Sequence, residues 1–207
     1  MPVKYQNGID VEERRAEVES LVAAGAMIYV PKRDLGAFRE KAGMSSWVAL
    51  SERAGVHQWH FSYTEEDAMT GNFTLPIWLR VSLALGRHPF AIAQVAGPVG
   101  AFDMSPYQKI YRRPGAEVWG WEPEEIDAAV ESEQAKIVLD RNNLADVREA
   151  AGLPTWRSLS QASGLSYHTL QKLNYPGNNP SVASVMRIAL ACRVHPYSLL
   201  QVSFPPM

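Results

Sequence analysis

Residues 39–55, REKAGMSSWVALSERAG, are written a second time at 148–164 as REAAGLPTWRSLSQASG. Eight of the seventeen positions are identical, without a gap, at an offset of 109. The match extends upstream at the same offset, AMIYVPKRDL (26–35) against AKIVLDRNNL (135–144). Further back it continues at offset 112, VEERRAEVES (11–20) against PEEIDAAVES (123–132). Downstream it continues at offset 107, LRVSLALGRHPF (79–90) against MRIALACRVHPY (186–197). The drift in offset is the size of loop insertions. A chain of 207 residues that repeats itself over almost its whole length must fold as two related halves. The repeats are residues 1–97 and 110–207. The Gly- and Pro-rich stretch 98–109 reads as the linker.

The composition narrows what the halves can be. At 46% hydrophobic residues each half can build a core, yet no run approaches the roughly 20 apolar residues of a membrane span. The first twenty residues are polar and do not read as a secretion signal. The single cysteine, Cys192, excludes a disulfide framework and a Cys-rich zinc site. A cytoplasmic protein with no membrane partner is therefore expected. The net charge of −2 rules out a generally basic nucleic-acid glue, so nucleic-acid binding would need a local patch.

The second repeat reads as a succession of helices. Acids at the front of PEEIDAAVE predict a helix starting near Pro123. KIVL (136–139) is short and β-branched before turn residues, which favours a strand over a helix. Asn142 or Asn143 is expected to cap a helix running to Ala151, and Gly152 to stop it. Thr155 caps the next helix, Gly164 ends it, Ser166 caps a third, and Ser181 starts a fourth. HPYSLLQV reads as a last short helix with Pro196 in its first turn. A helix that stops at Gly164, followed two residues later by a new helix start, is the spacing of a helix-turn-helix. Glycine suits that turn because it adopts positive φ without steric strain.

These residues resemble the Cro/phage-repressor (Xre-type) helix-turn-helix family. In the second repeat Leu159-Ser160, Gly164, Leu170, Leu173, Gly177, Pro180, Ile188-Ala189 and Leu199-Leu200 match the family pattern. In the first repeat Leu50-Ser51, Gly55, Phe61, Gly71 and Pro76 match it. Each resemblance covers about 60 residues. It implies a mainly α fold of two tandem lambda-repressor-like helix-turn-helix domains. The helix and short strand that precede each are not part of the minimal family domain, and the duplication is expected to relate the two copies by a pseudo-twofold. The strands AMIYV and KIVL are expected to pair with each other across the two repeats. One departure stands out: where the family often places a phosphate-binding Gln, this chain has Trp47 and Trp156.

Charge distinguishes the halves. From Leu144 onward there are five bases against two acids, whereas Leu35–Gly97 carries five of each, with Glu65, Glu66 and Asp67 following the third helix. Acids beside a phosphate backbone are repelled, so the second repeat is expected to be the better DNA binder. His57 and His60 have a spacing that zinc ligands can have, but no third ligand lies nearby, and no metal site is expected. His88 and His195 occupy equal places before proline and read as helix caps or structural hydrogen-bond partners. Trp47 and Trp156 fit packing between helices, with stacking on DNA as the alternative. YQKIYRRPG (107–115) fits a solvated connector, with a DNA arm as the alternative. No nucleophile motif or phosphate loop is present, so neither an enzyme nor a cofactor is expected.

The resemblance places the reading surface on the third helix of each repeat. In the second repeat this means Ser166, Tyr167, His168, Gln171 and Lys172, with Thr155, Asn178 and Asn179 toward phosphates. In the first repeat it means His57, Gln58, Trp59 and Tyr63. Lys172 can donate to guanine and Gln58 can read adenine. The expected function is sequence-specific binding of double-stranded DNA, as a transcriptional repressor acting as an intrachain pseudo-dimer. Two alternatives stay open: an accessory or architectural DNA-binding protein of plasmid transfer or maintenance, and a helix-turn-helix scaffold that binds a protein, the first repeat being the candidate surface. Homodimerisation of the chain is left open as well.

Overall fold

A computed structural model of the chain describes residues 9–62, 68–70, 74–98, 121–173 and 180–203. The protein is mainly α-helical. The first half runs α1 (Val11–Ala23), β1 (Met27–Pro31), α2 (Lys32–Lys41), α3 (Trp47–Ala54), α4 (Trp59–Ser62), β2 (Ala68–Thr70), α5 (Leu75–Ala84), α6 (Pro89–Ile92) and β3 (Gln94–Ala96). The second runs α7 (Pro123–Glu131), β4 (Lys136–Leu139), α8 (Arg141–Ala150), α9 (Trp156–Ser163), α10 (Tyr167–Leu173), α11 (Val182–Cys192), a 3-10 turn (Pro196–Leu199) and β5 (Leu200–Ser203).

Short polar side chains set most of the helix starts, because each satisfies backbone N–H groups that lack an intrahelical acceptor. Asp10 accepts from the N–H groups of Glu12 and Glu13. Ser46 and Thr155, equivalent positions, cap α3 and α9. His88 and His195 cap the proline-led turns: each Nδ1 accepts a backbone N–H, from Phe90 and Tyr197, at 3.2 Å. The helix-cap reading of both histidines is borne out. The cap of α8 corrects the expectation of an asparagine. Asp140 accepts from Asn143 N–H at 3.0 Å, since a carboxylate one residue before the helix reaches the first turn directly. The close of the chain differs as well. HPYSL makes only a 3-10 turn, and LQVS continues as a strand because it pairs with β4.

The strands do not pair across the repeats as expected. Their orders are β2-β1-β3 and β4-β5. By the offsets above, β1 matches β4 and β3 matches β5, so each strand pairs with the strand that closes its own repeat. The physical reason lies in chain geometry: the closing turn of each repeat delivers an extended segment beside the first strand. β1 also pairs antiparallel with β2, with Tyr29 opposite Thr70.

The described residues gather into two compact units that are not contiguous in sequence. One takes the residues up to Met27, those from Val95, and those from Leu139 to Leu200. Its core is the inner face of α11 (Val185, Ile188, Ala189) with Leu159, Ala162, Leu170 and Tyr197. Helix α1 lies against α9 and α11. The other unit takes Ile28–Gln94, the described residues up to Val138, and those from Gln201. Its core is built on Trp78, fully buried, whose Nε1 donates to the carbonyl of Pro89 at 2.9 Å. Helix α7 lies against α3 and α5.

Candidate nucleic-acid interface

In the second repeat the turn between α9 and α10 is built from small residues. Gly164 takes φ 70°, a left-handed conformation that suits glycine. Ser160 Oγ donates to the carbonyl of Leu165 at 2.7 Å, and Leu165 N–H donates to Ser163 Oγ at 3.3 Å. Ser166 then starts α10, its hydroxyl accepting Thr169 N–H at 3.0 Å and contacting the Thr169 hydroxyl at 2.8 Å. The turn is thus held by side chain–backbone bonds on both sides of the glycine. Helix α10 buries Leu170 and Leu173. It leaves Tyr167, His168, Gln171 and Lys172 exposed, Tyr167 at 46%. These residues and Ser166 form one outward surface of a short helix, as the 3.6-residue period requires.

The first repeat repeats the device with other chemistry. Gly55 takes φ 61°. His57 stands where Ser166 stands, and its Nδ1 accepts Trp59 N–H at 3.2 Å. Phe61 is buried and stacks on Trp47, ring centres 5.8 Å apart. Trp59 is 41% exposed, its ring 3.8 Å from that of His60. The imidazole of His60 is held below its usual range, first by burial and then by His57. His57 and Gln58 are exposed. Tyr63, Asn178, Asn179 and the 107–115 connector lie outside the described residues. Thr155 is exposed at the front of α9, with its hydroxyl bonded to Ser158 as a cap. Trp47 and Trp156 are half-buried against neighbouring side chains, in keeping with packing between helices.

The charge count of the second repeat reads differently in three dimensions. Arg148 is buried with its Nη1 on the carbonyl of Leu153. Arg187 is held by Glu19 at 2.8 Å, and Arg193 by Glu17 at 2.8 Å. Both acids belong to α1. Arg157 and Lys172 are exposed and carry the remaining positive charge. Sequence reasoning missed this internal use of cations, because nothing in the local pattern announces a partner about 170 residues away. The same reasoning left Arg157 off the site, although an exposed cation beside a helix cap is suited to a phosphate.

Among the described residues, no group of three or more His, Cys, Asp or Glu could hold a metal ion. The buried thiol of Cys192 is pushed up to about 12 by desolvation, far from the thiolate a nucleophile needs. Among the described residues no helix is long and apolar enough to cross a membrane. No family model matches this chain, and neither does any curated protein or solved structure.

Proposed function

We propose that this chain is a sequence-specific duplex-DNA-binding protein made of two helix-turn-helix domains in tandem, acting as an intrachain pseudo-dimer and serving as a transcriptional repressor in the cytoplasm. The observation that carries the reading is the turn written twice. In each repeat a helix ends at a left-handed glycine, two residues follow with a capping side chain, and a short helix begins with polar and aromatic residues outward. That arrangement presents side chains of the size and hydrogen-bonding capacity that major-groove readout needs. Two covalently joined readers bind without a dimerisation equilibrium, the second at a high effective concentration. Because Gln58 and Trp59 differ from Tyr167 and His168, the preferred site is an imperfect palindrome or an asymmetric sequence.

The test is selection of bound sequences from random duplexes, followed by titration at two salt concentrations. The expected result is an enriched asymmetric consensus whose affinity falls steeply with salt. No enrichment, and no binding to any duplex at low salt, overturns the proposal.

One observation favours a second reading. Arg187 and Arg193 are neutralised by α1, and Tyr167 and Trp59 are the large exposed aromatics on α10 and α4. A surface poor in free cations and rich in exposed aromatics suits a protein partner. Tight, salt-insensitive association with a protein in place of DNA would decide for it.

A further inference from the structure

Neither repeat folds around its own first helix. Helix α1 belongs to the first repeat in sequence, yet it lies against α9 and α11 of the second. Helix α7 belongs to the second repeat, yet it lies against α3 and α5 of the first. We infer that each core is an open groove for the first helix of another repeat, so that reciprocal helix exchange, and not the connection through residues 99–120, holds the two halves of the chain together. This inference is independent of DNA binding.

The docking contacts are of the kind that hold a partner. On α1, Val18 is fully buried and Val11 nearly so. Ile9 sits directly over Gly152, where any added Cβ would collide with it. The Arg14 side chain is buried and donates to the carbonyl of Ala191 at 3.3 Å, satisfying the last turn of α11. Arg187 grips Glu19 with both ends of its guanidinium, at 2.8 and 3.1 Å, while donating to the carbonyl of Ser163 at 3.2 Å. An isolated helix of 13 residues is marginal in water. Its order comes from the groove.

The other core uses the same device. Ile126 of α7 is fully buried and Ala129 nearly so. Arg80, which matches Arg187 at offset 107, donates to Asp127 at 2.7 Å and to the carbonyl of Ala54 at 3.4 Å. Ala54 matches Ser163 at offset 109. Each of these arginines therefore ties the carbonyl just before the turn glycine to an acid on the imported helix. Glu122 also meets Arg53 at 3.3 Å, and Trp121 N–H donates to the carbonyl of Leu83 at 3.1 Å. The acids themselves are not equivalent: at offset 112, Glu19 matches Glu131 and Asp127 matches Arg15. The helices thus reach the same arginine from different turns, so the shared feature is the docking groove and not a copied ion pair. A cut anywhere in residues 99–120 leaves two fragments, each contributing to both units.

The experiment is to insert a protease site within residues 99–120 of the full chain, confirm its helical content, cleave, and measure mass by light scattering. The expected result is one species of undiminished mass containing both fragments in equal amount, with an unchanged circular dichroism spectrum. Glu19→Arg should raise the dissociation constant of the cleaved halves by about tenfold. Fragments that part at micromolar concentration overturn the inference, as does a Glu19→Arg variant whose halves bind as tightly as the parent's. If the inserted site resists cleavage, the two halves are produced together as separate polypeptides with a tag on one. Equal recovery of the untagged half supports the exchange, and recovery of the tagged half alone overturns it.

Discussion

The guanidinium of Arg148 stands 5.5 Å from the centre of the Trp156 ring, and Arg39 stands 5.0 Å from that of Trp47. Each arginine also donates to a carbonyl in the loop that joins its own helix to the tryptophan's, Leu153 at 2.9 Å and Met44 at 2.8 Å. A buried cation thus welds α8 to α9, and α2 to α3, through one hydrogen bond and one ring face. The tryptophan has this structural task in both repeats.

Removing that weld should be costly. Arg148→Ala loses the stem packing, the ring contact and the carbonyl bond, and should destabilise the fold by about 3–4 kcal/mol. Arg148→Met keeps the apolar stem and also removes a buried Nε that has no partner, so it should cost about 1–2 kcal/mol. Urea unfolding of the two variants checks the order. Equal losses would show that the guanidinium, not the stem, carries the whole effect.

Two glycines should respond differently to the same change. Gly43→Ala strains only the backbone, at φ 78° with nothing within 4 Å of the new Cβ, and should cost about 1 kcal/mol. Gly164→Ala adds contacts at 2.7 Å to Glu19 Oε1 and 2.9 Å to Arg187 Nη1, so the ion pair must also move. Its cost should exceed that of Gly43→Ala by roughly 1 kcal/mol in thermal or urea denaturation.

Arg193 offers the opposite case. It ends α11 at φ 57°, where the first repeat has Gly86 at φ 58°. Arg193→Gly relieves a left-handed strain of about 1 kcal/mol and loses an exposed ion pair worth a few tenths. A net gain of about 0.5 kcal/mol is expected in urea unfolding, and a net loss would mean that Glu17 is held more firmly than its exposure suggests.

The reading surface can be tested separately from stability. If the proposed function holds, Lys172→Ala and His168→Ala should each weaken binding to the selected duplex by about 1–3 kcal/mol, and Gln58→Ala should do so less. Melting temperatures should be unchanged, since these side chains are exposed. Parent-like affinity in both second-repeat variants would show that the assigned surface does not read bases.

Stability should fall as pH drops from about 7 toward 5. Burial holds the His88 imidazole below its usual pKa, and its Nδ1 must remain an acceptor for Phe90 N–H. A base whose pKa is depressed by folding binds more protons unfolded, so its contribution is full above the unfolded pKa and is lost as pH falls through the folded one. His88→Asn keeps a capping acceptor without the titration and should flatten this part of the stability–pH curve. An unchanged slope in urea melts at pH 5, 6 and 7 would remove His88 as its source.

Much of the local architecture was legible without coordinates. Gly55 and Gly164 end helices because a left-handed residue stops α propagation. Thr155, Ser166, Ser181, His88 and His195 start them because a side-chain acceptor next to orphan N–H groups is a local event. The burial of Leu170 and Leu173 followed from helical period alone. Such features depend on neighbours within a turn of chain, which a sequence states directly. The strand partners, the buried task of Arg148 and the ion pairs of Arg187 and Arg193 were not legible in this way. A stripe such as Val11 and Val18, or Ile126 and Ala129, says that a helix has an apolar face. It does not say which surface covers that face, because the hydrophobic effect is non-directional and rewards any complementary groove alike. Since the two repeats carry nearly the same groove, only the tertiary structure could decide that α1 completes the second core and α7 the first.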